Sequence, residues 1–75
     1  QIRDGDFVIV EDRKTAENGE MVIALVGGTE ATLKKFYREH GRIRLQPANP
    51  AMQPMLFDPD QIQVQGVVIG VMRRY

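Results

Sequence analysis

Hydrophobic residues in this chain repeat with the period of a β-strand, and this pattern limits the possible folds more than any other feature. Residues 7–10 form a short β-rich run, residues 21–26 form a longer apolar run, and residues 42–46 alternate polar with apolar side chains. Short segments with a period of two predict strands, because an amphipathic helix repeats about every 3.6 residues. The sequence therefore predicts an all-β fold.

Turn signals separate these segments. Asn18-Gly19 precedes the second segment, and both residues tolerate a positive φ. Gly27-Gly28 predicts a two-residue hairpin turn, which leads into a strand over about residues 29–38. His40-Gly41 lies at the next reversal. Strands joined by such short turns pair with their neighbours, so we expect a mostly antiparallel meander.

The last third of the chain begins with a proline-rich segment. Residues 47–59 contain all four prolines, which lack a backbone donor and therefore predict an irregular connection rather than a central strand. We expect four of its side chains to cover an edge of the core: Met52, Met55, Leu56 and Phe57. After it, residues 62–65 alternate again, and Gly66 predicts a bulge or bend before the apolar run 67–72. This run is expected to return to the sheet.

Composition excludes several kinds of function. The 75 residues are enough for one domain, and ten basic residues balance ten acidic ones. Without net charge, no electrostatic field directs the chain to nucleic acid or an anionic membrane. The absence of Cys removes disulfides and thiolate metal ligands, and no apolar run is long enough to span a bilayer. We expect a cytoplasmic protein without metal or cofactor, and, because the chain begins at Gln1, an incomplete one.

Lys34 is the main candidate for a catalytic role, because it lies in the middle of a predicted strand. Alternation along the strand places Lys34 on the same face as Thr32 and Phe36. Burial of a lysine amine disfavours its charged form, which is how a lysine becomes a general base near neutral pH. A solvated lysine on the polar face of the strand is the ordinary alternative.

The other polar candidates have simpler interpretations. Thr32 is expected to be structural, although it lies close enough to contact Lys34. Asp4 and Asp6 flank a glycine, a pattern typical of a turn that enters the first strand. His40 is the only imidazole, and without Cys it does not indicate a metal site.

Four segments, in their order along the chain, resemble the C-terminal domain of the LexA repressor family, a group of self-cleaving Ser-Lys peptidases that also includes UmuD. They are Asp4-Gly5-Asp6, the strand Glu30-Ala31-Thr32-Leu33-Lys34-Lys35-Phe36, the segment Leu45-Gln46-Pro47-Ala48-Asn49 and the run Gly66-Val67-Val68-Ile69-Gly70-Val71-Met72. The resemblance covers nearly all of residues 1–75. It implies an incomplete part of an autoproteolytic and dimerisation domain with the sheets of the LexA and signal-peptidase type.

The resemblance also implies a mechanism. In this family a serine attacks the protein's own linker peptide after a strand lysine has removed its proton. Leu33-Lys34-Lys35-Phe36 matches the family's lysine motif, with Lys34 at the position of the general base. The chain contains no serine and no Ala-Gly bond, the usual cleavage site. The serine segment is therefore expected upstream of residue 1, and the 75-residue chain alone is expected to be inactive.

By the same resemblance, the parent protein would be a bacterial SOS-response repressor. An N-terminal helix-turn-helix domain would bind operator DNA, and an activated RecA filament would stimulate self-cleavage. A homodimer is expected through Val67, Val68, Ile69, Val71 and Met72. For that apolar run, a central strand of the monomer is an equally good interpretation.

Three other identities remain open at this point. A UmuD-like accessory protein of mutagenic DNA replication would use the same dyad without a DNA-binding domain, and a phage repressor of the same superfamily is a further alternative. A non-catalytic β-barrel interaction module would need no serine at all.

Overall fold

The computed structural model describes residues 5–73, and these form one six-stranded antiparallel sheet. The strands are β1 (Phe7–Glu11), β2 (Met21–Val26), β3 (Glu30–Glu39), β4 (Arg42–Gln46), β5 (Met55–Phe57) and β6 (Ile62–Met72), with one turn of 3-10 helix at Pro59–Gln61. Their spatial order is β1-β6-β2-β3-β4-β5. The predicted all-β meander with a returning strand is confirmed. Within the described residues, the sheet stays open and does not close into a barrel.

One face of the sheet carries the hydrophobic core. Val22 of β2 is fully buried, and it lies opposite Lys34 of β3 on one side and Val67 of β6 on the other. Paired residues share a face, so this row fixes which residues point to the core. The buried side chains are Val22, Ala24, Phe36, Ile43, Leu45, Ile62, Val64 and Val67. Each large side chain among them contributes about 1.5–3 kcal/mol by leaving water.

The turns follow the sequence with one difference. His40 and Gly41 have φ values of 51° and 74° and lie at the predicted reversal, where they join β3 to β4 as a two-residue hairpin. The prediction of a two-residue turn at Gly27-Gly28 was wrong, because Val26 pairs with Glu30 and leaves a loop of residues 27–29. Both glycines have a positive φ, and Thr29 closes the loop by donating its N–H to the Val26 carbonyl at 3.4 Å.

The proline-rich segment was predicted to be an irregular connection, but part of it forms a strand. It contains β5, whose residues pair with β4 from Leu45↔Met55 to Ile43↔Phe57. An edge strand needs hydrogen bonds on one side only, so three residues between prolines suffice. Of the four side chains expected to cover the core edge, only Phe57 packs against it. Met52 is exposed because it lies before β5, and Leu56 is exposed because alternation turns it to the outer face. Met55, the first residue of β5, is exposed as well.

The returning strand β6 is continuous from Ile62 to Met72 and contains two irregularities. Ile23 pairs with Gly66 and Ala24 with Val64, so Gln65 is an extra residue directly beside the predicted bulge position. A second register shift, against β1, makes Ile69 extra. Bulges bend a strand and increase its twist. They allow β6 to pair with β2 along its first half and with β1 along its second half.

The segment before β1 is only partly described. Gly5 has a φ of 85°, a conformation that favours glycine, and Asp6 leads directly into β1. Asp4, the first residue of the predicted turn, lies outside the described residues. No helix within residues 5–73 has the length and hydrophobicity needed to cross a membrane.

Candidate active site around Lys34

Lys34 lies on the core side of β3, as the strand alternation predicted. Its partner across the strand pair is the fully buried Val22, and Phe36, two residues along the same face, is 1% exposed. Lys34 itself is half-buried, whereas the next residue, Lys35, is exposed on the opposite side. The strand therefore carries two lysines with different environments, and only Lys34 lies at the margin of the core.

The amine of Lys34 is held by neutral oxygens. Its Nζ donates to the Thr32 hydroxyl at 2.8 Å and to the Leu33 carbonyl at 3.4 Å. Among residues 5–73, Lys34 takes part in none of the ion pairs. The two uncharged acceptors thus orient the Lys34 amine beside β3.

The edge of β3 beside Lys34 is open within the described residues. Backbone groups of a strand point alternately to its two edges, and those of Phe36 bond to Gly19 and Glu20 on the β2 side. Pairing with β4 stops at Lys35↔Gln46. The N–H and C=O groups of Ala31 and Leu33 therefore face an edge that no described strand covers. This edge can pair with an extended peptide, which would then pass next to the Lys34 amine.

Sequence reasoning missed the charge network that closes the β1–β2 loop. The Arg13 guanidinium donates to both carboxylate oxygens of Glu20, at 3.0 and 2.8 Å, and its Nε donates to Glu11 at 3.0 Å. Charged residues around Asn18-Gly19 gave only a general sign of a polar loop. Which of them pair depends on how the loop crosses the sheet, and the sequence does not encode that crossing locally.

The other two threonines and His40 lie away from Lys34 along the chain. Thr15 is exposed in the β1–β2 loop, Thr29 is in the β2–β3 loop, and His40 is in the β3–β4 turn. The hydrogen bond to Lys34 shows that the expected contact of Thr32 exists. Among residues 5–73, no three His, Cys, Asp or Glu side chains are grouped so that they could hold a metal ion.

The sequence left two interpretations of the run 67–72 open, a central strand of the monomer and a dimer contact, and different parts of the run fit each one. Val67 is fully buried in the core, as a central strand requires. Beyond it, β6 pairs with β1 alone, and Ile69, Val71 and Met72 are 58%, 41% and 57% exposed. Phe7 and Ile9 of β1 are exposed beside them. The β1–β6 end of the sheet thus exposes apolar side chains on both faces, with Phe7, Ile9 and Met72 on one face and Val71 on the other.

Comparisons with known proteins agree with the resemblance noted from the sequence. The LexA repressor of Koribacter versatilis (strain Ellin345) is 53% identical over 74 residues, and that of Erythrobacter litoralis (strain HTCC2594) is 49% identical over 74 residues. The LexA repressor of Syntrophotalea carbinolica is 51% identical over 75 residues. Each comparison covers 99% of this chain, but only 35%, 32% and 37% of the respective relative.

The chain therefore spans about a third of the length of these relatives. A family model described as Peptidase S24-like matches residues 1–69, which include all of β1 to β5 and most of β6. The resemblance to the LexA C-terminal domain is confirmed. The chain belongs to the Peptidase S24-like family.

Proposed function

We propose that this chain is the lysine-bearing part of the C-terminal catalytic and dimerisation domain of an SOS-response transcriptional repressor. The parent protein inactivates itself by cleaving its own linker peptide through a Ser-Lys dyad, and a RecA filament stimulates the cut. The serine segment lies upstream of residue 1. An N-terminal domain binds operator DNA, and the protein acts in the bacterial cytoplasm.

The observation that carries this proposal is the placement of the Lys34 amine. It is half-buried beside the core and hydrogen-bonded to the Thr32 hydroxyl, and it lies at the open edge of β3. A general base must be within hydrogen-bond reach of the proton it removes. An extended linker peptide on this edge would pass close to the amine, and the family match supports a serine as the nucleophile.

The proposed reaction has two stages. The neutral Lys34 amine removes the proton of the serine hydroxyl while its oxygen attacks the scissile carbonyl carbon. The peptide C–N bond then breaks, and the Lys34 ammonium returns the proton to the leaving amine. Water, deprotonated by the same lysine, hydrolyses the resulting ester and restores the serine. Thr32 acts as a positioning residue, because its hydroxyl fixes one direction of the Lys34 amine.

Dimerisation is the second part of the proposal. The exposed residues Ile69, Val71 and Met72, together with Val68 and the buried Val67, belong to the strand that we assign to the contact between two copies. Apolar side chains at the end of an open sheet gain free energy when a second copy covers them. Isologous pairing across a two-fold axis fits a repressor that reads a symmetric operator.

The decisive experiment is self-cleavage of the full-length protein with Lys34→Ala, followed by intact mass. We expect wild type to make a single cut at mildly alkaline pH and Lys34→Ala to make none, with an unchanged circular dichroism spectrum. Lys35→Ala is the matched control, because Lys35 is the exposed neighbour on the same strand. It should cut at the wild-type rate.

Two outcomes would contradict the proposal. A Lys34→Ala protein that cuts as fast as wild type removes Lys34 from the mechanism. No cut in wild type, even with an activated RecA filament, favours a non-catalytic β interaction module. If the cut occurs and the upstream sequence lacks a helix-turn-helix pattern, a UmuD-like accessory protein becomes the better identity.

A further inference from the structure

The β1–β2 loop, residues 12–20, crosses the sheet on the same face that carries Lys34. The spatial order places β6 between β1 and β2, so the loop must pass over β6 to connect them. Ala16 packs against the buried core cluster, which identifies the face on which it passes. We call this segment the strap.

Arg13 links the beginning of the strap to its end. Arg13 reaches seven residues ahead to form a two-pronged contact with Glu20, and its Nη1 also donates to the Thr15 carbonyl at 3.3 Å. The Glu20 carboxylate accepts a further bond, from the Glu17 N–H at 2.7 Å. Paired guanidinium–carboxylate bonds of this kind fix orientation as well as distance. The two ends of the strap are thus held to each other by one contact.

The closed end of the strap is bonded to the strand of Lys34. The Phe36 N–H donates to the Glu20 carbonyl at 2.9 Å, and the Gly19 N–H donates to the Phe36 carbonyl at 2.8 Å. Further along, the Arg38 N–H donates to the Asn18 side chain at 2.7 Å. Phe36 is two residues from Lys34 on the same face. Residues 18–20 therefore hold β3 at Phe36 and Arg38, next to Lys34 along the strand.

We infer that Arg13 is a positioning residue for the Lys34 strand: through Glu20 it locks the strap, and the locked strap fixes where β3 holds the Lys34 amine. This inference rests on the proposed function for its catalytic consequence. The link between the strap and β3 does not rest on the proposed function, because it follows from the contacts of Arg13, Glu20 and Phe36.

Arg13→Gln in the full-length protein tests the inference with two readouts. The first is amide hydrogen exchange, compared at a temperature where every variant is folded. We expect exchange at Gly19 and Phe36 to rise about tenfold, because their bonds to the strap open locally. Tyr37 is the internal reference, since its backbone faces β4, where it pairs with Arg44, and its exchange should not change.

The second readout is the self-cleavage rate. We expect Arg13→Gln to slow it about tenfold, since a small misplacement of a catalytic group can cost up to about 100-fold. Arg13→Lys keeps the charge without the two-pronged geometry and should give an intermediate rate. Asp12→Asn is the matched control in the same loop, because within residues 5–73 Asp12 forms its ion pair with the exposed Lys14 rather than with Arg13. It should change neither readout.

The results separate the two proposals. Unchanged exchange at Phe36 would show that Arg13 does not hold the strap to β3. Faster exchange with a wild-type cleavage rate would show that the strap does not position Lys34. Faster exchange in a protein whose wild type never cuts would reject the proposed self-cleavage and, with it, the effect of Arg13 on the cleavage rate. If Arg13→Gln does not fold, Arg13→Lys carries the same comparison.

Discussion

The side chains of Thr32 and Lys34 lie on the same face of β3, and their hydrogen bond is the most specific contact of the candidate site. Thr32 Oγ1 lies 2.8 Å from Lys34 Nζ, at the margin of a core whose next residue, Phe36, is buried. A hydroxyl at this position restricts the rotamers of a long, flexible side chain. In the proposed mechanism this contact orients the Lys34 amine for proton transfer.

Thr32→Val tests this role. Valine keeps the β-branched shape but removes the acceptor, so we expect self-cleavage of the full-length protein to slow about tenfold. The free energy of unfolding should change by less than about 1 kcal/mol, since a typical hydrogen bond contributes about that much. Thr15→Val, in the exposed loop, should change neither quantity. A Thr32→Val protein with the wild-type rate would contradict the positioning role.

Glu20 makes the stability depend on pH. The pKa of Glu20 is lowered from 4.5 to about 2. The hydrogen bond from the Arg13 guanidinium is the largest cause, and the bond from the Glu17 N–H is the second. The folded state holds this proton less tightly than the unfolded state, so the contribution is complete above pH 4.5 and is lost as the pH falls toward 2. The pKa of Glu39 is lowered by Arg44, and its contribution changes in the same direction.

Chemical denaturation at several pH values between 5 and 2 tests this linkage, a range set by the ordinary and shifted pKa of Glu20 at 4.5 and about 2. We expect the free energy of unfolding of Glu20→Gln to fall less steeply with acid than that of wild type. Glu17→Gln is the control, because Glu17 contacts Glu20 through its backbone N–H and carbonyl, which the substitution keeps. Equal slopes for Glu20→Gln and wild type would mean that the Arg13 contact does not persist in solution.

At the scale of elements, β6 organises the sheet by changing partners along its length. Its first half pairs with β2 and its second half with β1, and the extra residues Gln65 and Ile69 bend it between these partners. Lys14 reinforces the first bulge by donating its Nζ to the Gln65 carbonyl at 2.9 Å. The close approach of β1 and β6 leaves no space for a side chain at Gly66.

Gly66→Ala should therefore destabilise the sheet. A Cβ on Gly66 would collide with Cγ1 of Val10 and lie 3.1 Å from the Glu11 carbonyl oxygen, which is backbone. We expect a loss of about 1–3 kcal/mol in the free energy of unfolding, measured by denaturant titration. Gly70→Ala is the matched comparison on the same strand. Its Cβ would lie 3.3 Å from the terminal methyl of Ile9, which can move, so a smaller loss is expected.

At the scale of the whole molecule, exposed apolar residues mark the two ends of the sheet. Phe7, Ile69 and Met72 lie at the β1–β6 end, and Met52 and Leu56 lie at the β5 end. The β1–β6 end carries more of the exposed large apolar residues, and it includes β6, the strand that the family resemblance assigns to dimerisation. The β5 end is a three-residue strand between prolines, which limits its pairing with another chain.

Ile69→Lys distinguishes the two ends. We expect the dimer dissociation constant of the full-length protein, measured by sedimentation, to rise about tenfold or more when a charge enters a packed apolar contact. Leu56→Lys is the control at the other end, since Leu56 is 59% exposed and Ile69 is 58% exposed. The assignment fails if Leu56→Lys weakens the dimer and Ile69→Lys does not.

The sequence by itself determined five of the six strands, all except β5, and most of the turns, and it singled out Lys34 as the candidate base. Alternation and glycine positions depend on neighbouring residues only, so β2, β4, the His40-Gly41 hairpin and the shared face of Lys34 and Phe36 were predictable. Tertiary structure decided what depends on residues far apart in the chain. The Arg13–Glu20 contact forms only because the strap crosses β6. The exposure of Met52 and Leu56 depends on the pairing of β5 with β4. The open edge beside Lys34 exists because β4 ends at Gln46. These features arise only when the strands assemble, because each is a relation between elements rather than a property of a segment.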